Sequence, residues 1–151
     1  MKTSYAPAFL ALALVGAATC AAARAAVVEV KMVSETPSGG PGFVPDIVRI
    51  APGDRVHFVE GDFGHNAQSI PGMTPEGAPP FAGQVGQDLT VTFEKPGIYG
   101  YKCLPHYFMG MVGVVIVGDT HNEAALKAVS QPGAAARTFQ TIFARIDKTK
   151  G

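Results

Sequence analysis

The sequence predicts an all-β sandwich followed by two C-terminal α-helices. Three observations carry that expectation. Apolar and polar residues alternate with period two through most of the chain up to Gly118. Clusters of Pro, Gly and Asp punctuate the alternating runs. Beyond Gly118 the apolar spacing changes to that of a helix.

In chain order, the first 25 residues read as a secretory signal to be cleaved. Lys2 gives the positive start, Ala8 to Ala18 the apolar stretch, and Ala23-Arg24-Ala25 a small-x-small cleavage site. The apolar stretch is too short to span a bilayer, so no membrane anchor is expected. Residues 26–151 then form one domain. Its first strand carries Val28, Val30 and Met32 between Glu29 and Lys31. The loop Gly39-Gly40-Pro41-Gly42 and the turn Ala51-Pro52-Gly53-Asp54 lead to a run in which Val56 and Phe58 alternate with Arg55, His57 and Val59. Leu89, Val91 and Phe93 alternate with Asp88, Thr90 and Thr92 before the turn Lys95-Pro96-Gly97. Tyr99, Tyr101 and Cys103 then share one side of a strand, and Val112, Val114 and Ile116 one side of the last. Each of the earlier runs offers one face to water.

Thr120-His121-Asn122-Glu123 has capping-box spacing and opens a short helix bearing Ala125, Leu126 and Val129. Gln131-Pro132-Gly133 ends it. A second helix is expected from about Ala134 to Asp147, with Phe139, Ile142, Phe143 and Ile146 as an apolar stripe that packs on the sandwich.

Charge excludes one class of function. Without Lys2 and Arg24, Lys+Arg falls from 12 to 10 against 12 Asp+Glu, a net charge of −2 that gives no footprint for nucleic acid. Cleavage also removes Cys20. Cys103 is then the only thiol of an exported protein, where no internal disulfide is open to it and metal ligation is a good reason to retain it.

Cys103 opens the run Cys103-Leu104-Pro105-His106-Tyr107-Phe108-Met109-Gly110-Met111, and His65 stands upstream in Gly64-His65-Asn66. A Cys-x-x-His pair alone is a weak signal. It strengthens with a strand before the cysteine, a tight loop through Pro105, a following methionine and a histidine on a second loop. Two imidazoles, a thiolate and a thioether form the donor set of a mononuclear blue-copper electron-transfer centre, because soft sulfur suits Cu(I) and imidazole suits both oxidation states. Zinc competes, but its sites rarely recruit thioether. His65, Cys103 and His106 are read as the strong ligands and Met111 as the weak axial one. Met111 is preferred to Met109 on loop length, since 109 would shorten the His-to-Met span. Pro105 cannot donate a hydrogen bond to the thiolate, and Asn66 is placed to tie its loop to the cysteine loop. His57 and His121 are read as solvent-facing residues without a role, and Met32 and Met73 as core filler.

These residues carry a family resemblance that covers nearly all of residues 26–151. The chain is similar to the cupredoxins, and within them to the pseudoazurins, through Ala26 to Met32, Val48 to Phe58, Gly64-His65-Asn66, Gly72-Met73 and Pro96 to Gly100. It is also similar through Lys102-Cys103, Pro105-His106-Tyr107 and Met109 to Val115. The resemblance implies an eight-stranded Greek-key sandwich followed by two helices, with His65, Cys103, His106 and Met111 binding one copper ion. It supports Met111 over Met109. It further implies a monomeric periplasmic one-electron carrier with transient redox partners, such as a copper nitrite reductase or a c-type cytochrome. An enzyme would need an open coordination position and further histidines, so catalysis is not expected. A copper-delivery protein is the alternative, since it could use the same donors. The chain departs from the family pattern around the site, where Phe63, Leu104 and Phe108 stand and Glu35 lies in the early loop. A docking face more apolar and less cationic than usual is expected.

Overall fold

A computed structural model describes residues 24–149. The expected signal, residues 1–25, lies outside the described residues except for its last two. Among the described residues eight strands form two four-stranded sheets. They are β1 (Val27–Val33), β2 (Gly42–Val44), β3 (Ile47–Ile50), β4 (Arg55–Glu60), β5 (Gln68–Ser69), β6 (Leu89–Thr92), β7 (Gly97–Lys102) and β8 (Val112–Val117). One sheet has the order β2-β1-β4-β6 and the other β3-β8-β7-β5. Five of the seven connections cross between the sheets, so loops from both gather at one end. β1 with β4 and β3 with β8 are parallel, and the other pairs are antiparallel. Two helices follow, α1 (Glu123–Lys127) and α2 (Gly133–Lys148).

The expected alternation holds in the first sheet. Val30, Met32, Val56, Phe58 and Phe93 point into the sandwich while Glu29, Lys31, Arg55, Thr90 and Thr92 face water. Here Phe58 packs edge-on against Phe43 and Tyr101, giving a core of interlocked rings. The short strands β2, β3 and β5 lack a readable alternation because they are only two to four residues long.

The second sheet is buried on both faces. Tyr99, Tyr101, Val115 and Val117 join the sandwich core, whereas Ile98, Val112, Val114 and Ile116 form a second core with Leu126, Phe139, Ile142, Phe143 and Ile146. The apolar side read for the last strand is thus the side that the helices cover. A strand with helices on its outer face has no wet side, so β8 reads as a continuous apolar run. Met32 and Met73 fill the first and second cores respectively, as expected of flexible filler.

Helix α2 matches the expected stripe, but the capping box does not form. Asn122 occupies the N-cap without capping, and its side chain instead binds the backbone of Ile98, accepting from N–H at 2.8 Å and donating to C=O at 3.0 Å. It ties α1 to β7, a tertiary use that outcompetes the local one. His121 is exposed beside Asp119, while His57 is half-buried and bonds to Thr90 Oγ1 at 2.8 Å. Neither histidine approaches the predicted site.

Candidate metal centre

The cysteine loop is held by its own backbone. Cys103 follows the last residue of β7 and Met111 precedes the first of β8, so both lie one position outside the strands. Cys103 N–H donates to Met111 O at 3.0 Å, and Met111 N–H donates to His106 O at 3.2 Å. A single 3-10 turn, Tyr107–Met109, fills the loop and ends at Gly110 with φ +94°. A Cβ on Gly110 would lie 2.7 Å from Thr138 Oγ1, so both the backbone conformation and the approach of α2 require glycine. The first residue of α2, Gly133, sits equally close: a Cβ there would come within 2.6 Å of Phe108 O. The helix therefore buttresses the loop from behind.

The histidine loop is held by side chains. Glu60 Oε1 accepts from Gly64 N–H at 2.8 Å and more weakly from His65 N–H at 3.4 Å. Asn66 joins the two loops as the sequence suggested. Its Oδ1 accepts from Leu104 N–H at 2.7 Å and its Nδ2 donates to Gly83 O at 2.9 Å. Ser34 Oγ lies 3.1 Å from His65 Nε2, and Asp62 Oδ2 fixes Ser34 by accepting from its N–H at 2.7 Å. With Nε2 engaged by Ser34, Nδ1 is the nitrogen turned towards the thiol.

These constraints bring three donors together. His65 Nδ1 is 3.7 Å from Cys103 Sγ, and His106 Nδ1 is 3.6 Å from the same sulfur. Ligand atoms of His65, Cys103 and His106 all fall within 4.8 Å of one another, which is the only such group of His, Cys, Asp and Glu among the described residues. Met111 is fully buried in the core cluster that contains Cys103. Met109 is exposed, facing away from that cluster. The two imidazole rings are 4.7 Å apart between centroids.

Burial shapes the protonation of the donors. It lowers the imidazole pKa of His65, aided by the nearby His106, while Asp62 and Glu60 act in the opposite direction. Burial raises the Cys103 thiol, opposed by backbone hydrogen bonds from Asn66 and His106. A neutral His65 is ready to ligate, whereas the thiol would release its proton to solvent as a metal binds. The buried sulfur, two nitrogens aimed at it and an adjacent thioether residue fit copper, whose soft and borderline donors these are.

Sequence reasoning missed Ser34, Glu60 and Asp62. No local motif marks them. They reach His65 because parallel pairing of β1 with β4 sets Met32 opposite Glu60, which places the ends of both strands beside the histidine loop.

Comparison with known proteins agrees with this geometry. Residues 29–118 match the family described as copper binding proteins, plastocyanin/azurin family. The pseudoazurin of Methylorubrum extorquens is 44% identical over 142 residues, covering 89% of this chain and 96% of the relative. That of Paracoccus pantotrophus is 40% identical over 124 residues, covering 82% and 86%. Among solved structures, the pseudoazurin from Methylobacterium extorquens AM1 superposes with a TM-score of 0.77 at 44% identity, over 80% of this chain and 98% of that one. Native pseudoazurin from Hyphomicrobium denitrificans gives 0.76 at 36% identity, over 80% and 98%.

Proposed function

The chain belongs to the plastocyanin/azurin family of copper-binding proteins and, within it, to the pseudoazurins, and from this we propose how this blue-copper electron carrier works and where. It is not an enzyme, and its cofactor is one copper ion. His65, Cys103 and His106 would hold the ion as its strong ligands, and the thioether of Met111 would be the weak fourth donor. The observation that carries this assignment is the convergence of three donors within 4.8 Å of one another at the end of the sandwich. When bound, copper supplies the Cu(II)/Cu(I) couple. The chain's own part is to hold the donors in one arrangement through both oxidation states, because a site that need not rearrange transfers electrons with a small barrier. The side-chain bonds to the histidine loop and the backbone closure of the cysteine loop perform that task.

Electrons pass through the edge of His106, which is half-buried beside exposed Pro105 and Phe108. Such an apolar surface suits a transient complex that releases quickly. The partners are redox proteins such as a copper nitrite reductase or a c-type cytochrome, and the carrier acts as a monomer in the periplasm after removal of residues 1–25. Residues 26–151 are the mature domain. Among the described residues no helix is long and apolar enough to cross a membrane.

The test is to express residues 26–151, add an equivalent of Cu(II), and record visible absorption and EPR spectra. An intense thiolate-to-copper band that bleaches on reduction and returns on reoxidation, with a narrow copper hyperfine splitting, is the expected result. A pale solution with an ordinary tetragonal copper signal would overturn the ligand assignment and favour copper delivery.

A further inference from the structure

The surface over the site is apolar, and its charges are divided between two sides. Phe63 is 89% exposed, Phe108 72%, Met109 60%, Leu104 55% and Val85 47%. Large apolar side chains this open in one neighbourhood mark an interaction surface. They are linked through the histidine loop. Asn66 binds the N–H of Leu104, and His65 O accepts from Gly86 N–H at 2.9 Å, next to Val85. A Cβ on Gly86 would lie 3.3 Å from the Phe63 ring and 3.8 Å from a Glu60 carboxylate oxygen, so the ring and the carboxylate stand side by side.

Two carboxylates lie on the Phe63 side. Glu60 and Asp62 precede Phe63 in sequence and both lie beside the histidine loop, Glu60 Oε1 accepting from Gly64 N–H and Asp62 Oδ2 from the N–H of Ser34, whose hydroxyl touches His65. Among the described residues neither Glu60 nor Asp62 forms an ion pair with Lys or Arg. The cations lie beyond the other edge. Arg137 shares the wall of a depression of about 490 Å³ with Met109 and Gly110, and Lys102 Nζ sits 4.3 Å from the centre of the Tyr107 ring.

We propose that this face docks a redox protein whose contact surface is an apolar platform with basic side chains along the edge that meets Phe63, Glu60 and Asp62. The apolar centre supplies contact area, and the carboxylates on one side orient the partner and speed its approach. The proposal rests on the electron-carrier reading, which requires a redox partner at this end of the sandwich.

Two redox-inert paramagnetic complexes of opposite charge, hexaamminechromium(III) and hexacyanochromate(III), map the surface by amide line broadening in the mature chain. The cation is expected to broaden Gly61 to Gly64 and Val85 to Gly86 severalfold more than the anion does. A Glu60→Gln/Asp62→Asn double variant, which keeps the accepting oxygens, should erase that preference. Preferential broadening of this loop by the anion, or no preference between the complexes, would overturn the proposal. With copper bound, oxidation of the reduced protein by tris(phenanthroline)cobalt(III) should slow severalfold as ionic strength rises from about 0.01 to about 0.2 M, while oxidation by hexacyanoferrate(III) should not slow. The opposite order would also overturn it. Failure of the blue band to form would instead refute the carrier reading, and the broadening map can be read on the metal-free protein in either case.

Discussion

The two loops that meet at the metal centre are held by different means. Residues around His65 are fastened largely by side chains, with Glu60 at the end of β4, Ser34 just past β1 and Asn66 within the loop all engaged. The Cys103–Met111 segment closes on its own backbone and rests on α2. The first arrangement buries its histidine almost completely, at 1% exposure, while the second leaves His106 half-buried and carries exposed Leu104, Phe108 and Met109. A loop that fixes itself through backbone bonds is free to spend its side chains on ligation and docking. A loop fixed by side chains contributes a donor but little surface of its own, apart from Phe63.

The largest expected effect falls on ligation. Cys103→Ser removes the sulfur on which both imidazoles converge, so the thiolate-to-copper band should vanish entirely from the absorption spectrum while the fold persists by circular dichroism. Retention of the band would mean that the cysteine loop does not supply the thiolate. Next comes the backbone closure. Gly110→Ala adds a Cβ at a positive φ and against Thr138, which should cost on the order of 1–3 kcal/mol in chemical denaturation. A neutral result would show that the loop yields more readily than its contacts suggest.

Asn66→Ala probes the tie between the loops. It leaves Leu104 N–H and Gly83 O without their partner, and the expected loss is about 1–3 kcal/mol, together with a broadened copper EPR signal from a less fixed site. If the spectrum stays sharp, the loops are positioned independently. The smallest effect on stability is expected from Phe108→Ala, within about 0.5 kcal/mol, because the ring is largely exposed. Its consequence should appear in the rate of electron transfer to a protein partner, which stopped-flow absorbance measures. An unchanged rate would place the docking surface elsewhere.

Much of the fold was legible in the sequence where burial is one-sided. The first sheet shows Val56 and Phe58 inside and Arg55 outside, and α2 buries the stripe from Phe139 to Ile146. The second sheet resisted that reading, since burial of both faces of β8 hides which side the sandwich claims. The capping-box spacing of Thr120 to Glu123 was a plausible local signal, but Asn122 takes the N-cap position and gives its side chain to the backbone of Ile98. At the site, the cluster from Cys103 to Met111 was visible because its members are close in sequence. The residues that hold His65 were not.

The sequence by itself determined the strand and helix content, the tight loop carrying a cysteine, a histidine and a methionine, and the histidine-bearing turn before it. These features follow from side-chain periodicity and turn chemistry, which act over a few residues. Only the tertiary structure decided that His65 would lie 3.7 Å from a thiol 38 positions away, with Ser34, Glu60 and Asp62 around it. It also decided that Phe63, Val85, Leu104 and Phe108 would share one end of the molecule. Those outcomes depend on sheet register and on which loops each strand delivers to that end, and register is set by many distant contacts at once.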